Sequence, residues 1–170
     1  SPETFVQVSD GLIRTFPMKG TISADFVDAE KIILGDAKET AEHITIVDLL
    51  RNDLSQVACD VRVERFRFVE RVRTNHKDLL QVSSEIRGSL LPEYRERLGS
   101  MLVSLLPAGS VSGAPKPETL KIIRTTEGKK TGYYTGICGC FDGVKLDCGV
   151  MIRFIEQDGG EFHFRSGGGI

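Results

Sequence analysis

The chain has 170 residues, with 22 Lys and Arg against 24 Asp and Glu and a formal net charge of -2. Hydrophobic residues make up 40% and charged residues 27%, the balance of a folded domain rather than a disordered tail. The near-neutral charge lacks the electrostatic footprint of a nucleic-acid binder, and no apolar run reaches the roughly 18–20 residues that cross a bilayer, so neither nucleic acid nor membrane is expected as a partner.

Phe5 to Thr21 predicts two strands about the Asp10-Gly11 turn, with Pro17 unsuited to an interior ladder position. Asp28 to about Gly35 predicts a short helix. Asp36 to about Leu54 predicts a longer one, in which Asp36 is the N-cap and Glu39 its capping-box partner. Ala41, Ile44, Val47 and Leu50 recur along it at helical spacing. Val57 to Val72 alternates like a strand. Asp78 to Arg87, Pro92 to Leu106 and Pro115 to about Glu127 predict helices, the last opened by its proline. Gly132–Phe141, Val144–Ile155 and Glu161–Phe164 predict a closing antiparallel meander with turns at Asp142-Gly143 and Asp158-Gly159-Gly160. The pattern is α+β, helices grouped in the middle and strands at the end.

The four cysteines, Cys59, Cys138, Cys140 and Cys148, form no C-x-x-C pair, and His43, His76 and His163 complete no zinc spacing. They are expected as small buried hydrophobes in a reducing compartment, with the cytoplasm as default. The N-terminus shows no basic and apolar leader pattern. The start without Met and the close on Ser166-Gly167-Gly168-Gly169-Ile170 suggest a cut rather than natural ends.

Five places suggest a site. Glu39 and Glu42 fall on one face of the long helix. Such a pair suits a hard cation like Mg²⁺, although acidic pairs on solvated helix faces are commoner. The small-residue run Pro107 to Lys116 enters a helix and suits a carboxylate or phosphate, or is an ordinary loop. It lacks Walker A spacing. The glycines after Ser166 offer backbone amides to an anion, or form a loose tail. Lys19, beside Gly20 and Thr21, is a candidate nucleophile, or a surface lysine. Arg153, in an apolar run, calls for a carboxylate partner from the protein or a ligand.

Taken in order, these segments resemble the chorismate-utilising enzymes: component I of anthranilate and aminodeoxychorismate synthases, with isochorismate and salicylate synthases. The matching pieces are Ser1-Pro2-Glu3-x-Phe5, Pro17-x-Lys19-Gly20-Thr21, Glu42-His43-x-x-Ile46-Val47-Asp48-Leu49-x-Arg51-Asn52-Asp53, Ser112-Gly113-Ala114-Pro115-Lys116, Gly132-x-Tyr134-x-Gly136, Ile152-Arg153 and Gly167-x-Gly169-Ile170. Each is weak alone. Together, in one order, they are specific and span the chain. The resemblance implies the chorismate-binding α+β fold, antiparallel sheets with helices, with residues 1–170 as part of one catalytic domain.

It further implies chorismate held with Mg²⁺, with Glu42 and Glu39 on the metal. Gly20, Thr21, Ser110, Tyr134, Arg153, Gly167 and Gly169 would line the substrate, Arg153 clamping the enolpyruvyl carboxylate. Glu3 matches the family acid that protonates the departing ring hydroxyl. Lys19 discriminates within the family. Aminodeoxychorismate synthases usually carry Lys there and the other members Ala. The lysine would displace the ring hydroxyl and then be displaced by ammonia, which a glutamine amidotransferase subunit supplies. That implies amination of chorismate to 4-amino-4-deoxychorismate in para-aminobenzoate and folate synthesis. The alternatives are an anthranilate synthase component I, or a fragment or module that binds chorismate without turnover. Two departures stand out. Gln81, in the segment read as a helix, replaces a common His, and Ser110 replaces a common Thr. The family also continues past the glycine-rich end into a segment that supplies another metal carboxylate and a substrate lysine.

Overall fold

The fold was analysed on a computed structural model, which describes residues 3–128 and 131–167. Strand β1 (Thr4–Ser9) and β2 (Leu12–Thr15) form a hairpin about Asp10-Gly11, where both residues have positive φ. β3 (Met18–Ser23) follows after a break at Phe16-Pro17, so the two expected strands are three. Pro17 causes the break, having no N–H to donate to a ladder. Helices α1 (Ala29–Gly35) and α2 (Ala37–Leu54) come next. Asp36 caps α2 as expected: its side chain accepts a hydrogen bond from the Glu39 backbone N–H at 2.9 Å.

β4 (Cys59–Val72) and β5 (Leu79–Ser89) are long paired strands. The helix expected over Asp78–Arg87 is therefore a strand. Its burial decides the matter: Leu80, Val82, Ser84 and Ile86 are all buried at period two, which is strand periodicity. Ser83 is buried on the opposite face, so the apolar and small residues run together and hide the alternation. A 3-10 turn (Pro92–Arg97), α3 (Leu98–Ser104), the short α4 (Gly109–Ser112) and α5 (Lys116–Glu127) occupy the expected helical region. β6 (Ile137–Phe141), β7 (Leu146–Val150), β8 (Arg153–Asp158) and β9 (Glu161–Ser166) close the described chain. The run expected as one strand, Val144–Ile155, is split at Met151-Ile152 into β7 and β8.

Seven strands make one antiparallel sheet in the order β3-β5-β2-β1-β7-β6, with β4 on β5; β8 and β9 form a separate two-stranded sheet. β2 and β3 both pair with β5, through Thr15↔Ile86 and Met18↔Ser83. Val47 and Leu54 of α2, with Tyr94, Met101 and Leu105, pack on Val6, Val8, Ile13 and Ile86 to form the core. Gly88 belongs to this close packing, because a Cβ there would lie 2.8 Å from Ala58 and 2.9 Å from Val61. The cysteines depart from expectation. Cys148 is buried, but Cys59, Cys138 and Cys140 are exposed, and all four are free thiols. Cys138 and Cys140 share a face of β6, which among the described residues pairs only with β7, at an edge of the sheet.

Candidate active site

The first cluster is built where α2 crosses β3. The N-terminal half of α2 carries Glu39 and Glu42, and β3 carries Lys19, Gly20 and Thr21. Lys19 Nζ lies 3.3 Å from Glu42 Oε2, with both side chains roughly two-fifths exposed. Lys38 approaches the other Glu42 oxygen at 3.8 Å. Glu39 makes no ion pair among the described residues. Its carboxylate does not return to Asp36 but lies over Gly20, with Oε2 3.5 Å from where a Cβ on Gly20 would stand. The Ile33 side chain meets the same point at 3.5 Å, and Gly20 has φ +82°. A Cβ there would meet both neighbours at ordinary contact distance, so it is the positive φ that would strain a side chain at this position. Thr21 is exposed and stands opposite Gln81 of β5. The position that replaces the family's His is thus on a strand beside the site, not on a helix.

Glu39 and Glu42 are half-buried oxygen donors on one face of α2, and that donor chemistry fits a hard divalent cation that keeps waters. Among the described residues, no group of three or more His, Cys, Asp or Glu is gathered to hold a metal. A cation on Glu42 would compete with Lys19 and Lys38.

The second cluster lies at the end of the sheet where β7 leaves it. The Val150 N–H donates to the Glu3 carbonyl at 2.9 Å, which fixes Glu3 beside the exit towards Arg153. Thr15 Oγ1 donates to the Phe5 carbonyl at 2.9 Å. The start of β1, the end of β2 and the end of β7 therefore share one end of the sheet, and the Pro17–Lys19 segment emerges at that end too. Tyr134 and Gly167 meet directly: the Tyr134 hydroxyl fills the space that a Cβ on Gly167 would need. The Gly167 N–H donates to the Ile152 carbonyl at 2.9 Å, and Arg153 pairs with Ser166 across β8 and β9. Arg153 is exposed, so burial does not impose the partner expected for it, and it has no ion pair among the described residues. Gly169 lies outside the described residues.

Ser110 stands apart from the acidic pair. It is exposed on α4, whose Gly109 packs on Leu49, Leu50 and Asp53 near the C-terminal end of α2. Leu50 is about 12 Å from Glu42 along the helix axis. The small-residue run Pro107–Lys116 includes this short helix and then leads through Gly113–Pro115 into α5. Lys116 is held inward, with Nζ 2.6 Å from Asp53 Oδ2 and 3.4 Å from the Leu105 carbonyl. Burial raises the Asp53 pKa, and the Lys116 hydrogen bond and charge oppose the rise.

His43, beside the acidic pair, is fully buried, at 1% exposure. Its Nε2 lies 2.7 Å from Ser84 Oγ on β5, and its ring meets Phe66 edge-on at 5.9 Å between centroids. Burial, then the charges of Arg67 and Lys19, lower its pKa to about 4. A His four residues before Val47, on the same face of the helix, was the signal. The partner, far away in sequence, gave none.

Helices packed on an antiparallel sheet, with a pair of acids on the long helix, define the α+β class of this chain, and the family pattern described as chorismate binding enzyme matches residues 1–170. The chain belongs to the chorismate-binding enzyme family. It is 55% identical over 170 residues to an uncharacterised PabA-like protein of Pasteurella multocida, covering 100% of this chain and 52% of the relative. It is 37% identical over 182 residues to anthranilate synthase component 1 of Pseudomonas aeruginosa, covering 100% of this chain and 35% of that protein. The crystal structure of anthranilate synthase component I from Streptococcus pneumoniae superposes with a TM-score of 0.74 at 34% identity, over 91% of this chain and 34% of that one. The chain thus spans about half the length, or less, of the relatives it matches.

Proposed function

We propose that the chain carries the chorismate site of an aminodeoxychorismate synthase component I. It would aminate chorismate to 4-amino-4-deoxychorismate with ammonia from a glutamine amidotransferase subunit, in para-aminobenzoate and folate synthesis in the cytoplasm. The observation that carries the reading is the Lys19 amine, held 3.3 Å from Glu42 at the half-open mouth of the acidic pair. A primary amine beside carboxylates suited to Mg²⁺ is positioned to attack a ring that the same carboxylates help to hold.

In this reading Glu42 and Glu39 hold Mg²⁺, which supplies positive charge to bind and orient the substrate carboxylate. Lys19, acting as the neutral amine, uses its lone pair to form a bond to a ring carbon as the C–O bond to the hydroxyl breaks. Glu3 gives that oxygen a proton, so it leaves as water. Ammonia then displaces the lysine amine. Gly20 lets the chain pass close beneath Glu39. Thr21, Ser110, Tyr134, Arg153 and the backbone at Gly167 and Gly169 take the rest of the substrate, with the Arg153 guanidinium suited to a carboxylate.

Incubation of the purified chain with chorismate, Mg²⁺ and an ammonium salt tests this. The expected product is 4-amino-4-deoxychorismate, lost in Lys19→Ala and reduced roughly 10²–10⁴-fold in Glu3→Gln. Anthranilate with pyruvate release would overturn the reading in favour of anthranilate synthesis. Unchanged single-turnover rates in Lys19→Ala would remove Lys19 from the mechanism. A second reading, a module that binds chorismate without turnover, is favoured by the lack of a third metal-binding side chain among the described residues. Chorismate binding in calorimetry that does not depend on Mg²⁺, with no product, would support it.

A further inference from the structure

The Lys19–Glu42 pair joins two elements, strand β3 and helix α2, and something must fix one against the other. Ser84 of β5 is fully buried, at 0% exposure, and is bonded in three directions. Its backbone N–H donates to the Pro17 carbonyl at 3.0 Å, at the break two residues before Lys19. Its hydroxyl lies 2.7 Å from Nε2 of His43, the neighbour of Glu42 on α2. The same oxygen accepts the Arg67 N–H at 2.9 Å. Arg67 has φ +48° and sits where the β4–β5 register shifts between Arg65 and Phe68. That bulge turns a ladder N–H onto a side chain.

His43 is a costly way to fill this position. Its Nδ1 is buried with no hydrogen-bond partner, and an apolar ring of similar size would avoid leaving a desolvated nitrogen. What the imidazole adds over such a ring is one directional bond to Ser84. We propose that Ser84, through His43, is the positioning residue of the Lys19–Glu42 pair. One hydroxyl sets the rotation and height of α2 at Glu42, and the amide of the same residue sets the strand carrying Lys19. This deepens the amination reading and rests on it for its catalytic meaning.

The test reads geometry rather than turnover. A carbodiimide couples an amine only to a carboxylate already in contact, so the Lys19–Glu42 amide, measured by peptide mass spectrometry, reports the pair. The Lys38–Glu42 amide is an internal reference, because both residues lie on α2 at 3.8 Å and do not depend on β3. In Ser84→Ala, the ratio of the first cross-link to the second should fall about five-fold or more. It should hold in Ser83→Ala, whose equally buried hydroxyl faces away and donates to Glu70 at 2.8 Å. His43→Phe keeps the ring contact with Phe66 and removes the orphaned nitrogen. It should fold with an equal or higher Tm and still lose the ratio, a split that a purely structural role would not give. If Ser84→Ala does not fold, His43→Phe decides.

An unchanged ratio in the folded variants, or an equal loss in Ser83→Ala, would overturn the proposal. A ratio lost as expected in a protein that makes anthranilate keeps the positioning and discards the amination reading.

Discussion

At His43 the cost of burial is read in proton binding. The folded state lowers its pKa from 6.5 to about 4, so between those values the unfolded chain binds a proton that the folded chain refuses. Stability therefore rises with pH across that window and is lost as pH falls from about 6.5 to 4. The shift corresponds to about 3 kcal/mol over the whole window. Asp53 acts with the opposite sign. Its raised pKa means that the fold takes up a proton more readily than the unfolded chain, so mild acid favours the fold at that residue. Urea melts of metal-free protein at pH 7 and pH 5 should show the loss, and His43→Phe should remove most of the difference. An equal pH slope in that variant would place the acid sensitivity elsewhere. Neither His43 nor Ser84 could have been assigned from the sequence. The chemistry lies in a contact between residues 41 apart, whereas the sequence shows only a His between Glu42 and Ile44.

Among the elements, α2 was legible because its signals agree: an N-cap at Asp36, an acid three residues on and a helical apolar stripe. β5 was not. Ser83 and Ser84 are both fully buried, one on each face, and two adjacent buried serines erase the alternation that marks a strand. The sequence Asp78–Arg87 then reads as helical by default, and Gln81 goes to the wrong element with it. The motif residues Asp53 and Lys116 prove to be a joint between elements. They tie the end of α2 to the start of α5 at 2.6 Å, with side chains 7% and 18% exposed. Removing one partner leaves the other charge desolvated, a change of about 3–5 kcal/mol for buried pairs. Lys116→Met should therefore lower the urea midpoint strongly. The double variant Asp53→Leu with Lys116→Met should recover much of the loss, since apolar replacement of a whole buried pair is often neutral. A double variant as unstable as Lys116→Met alone would mean that the pair contributes more than its own compensation.

Across the whole molecule, stability is unevenly distributed. The seven-stranded sheet is clamped by α2 and α3 over one core, while among the described residues β8 and β9 pair only with each other. Ile155 and Phe164 face one another across that hairpin, and Phe162 lies two residues further along the same face, each about 70% exposed. An isolated two-stranded ribbon is marginal in water. Its described ties to the rest are the Gly167 N–H to Ile152, the packing of Tyr134 on Gly167 and the direct chain link. The sequence marked Tyr134, Arg153 and Gly167 as site residues. It could not show that Arg153 lies on a separate ribbon, with Gly167 at its end and Tyr134 against it, because Val144–Ile155 carries no proline or glycine at the split. Hydrogen exchange should divide the molecule accordingly. Backbone amides of β8 and β9 should exchange by local opening, far faster than those of β1 and β5, which need nearly global unfolding. Chorismate with Mg²⁺ should slow β8 and β9 selectively if Arg153 and Gly167 contact the ligand, since binding stabilises only the state that holds it. Equal slow exchange in both sheets without ligand would refute the division, and unchanged β8 and β9 rates at saturating ligand would remove Arg153 and Gly167 from the binding site.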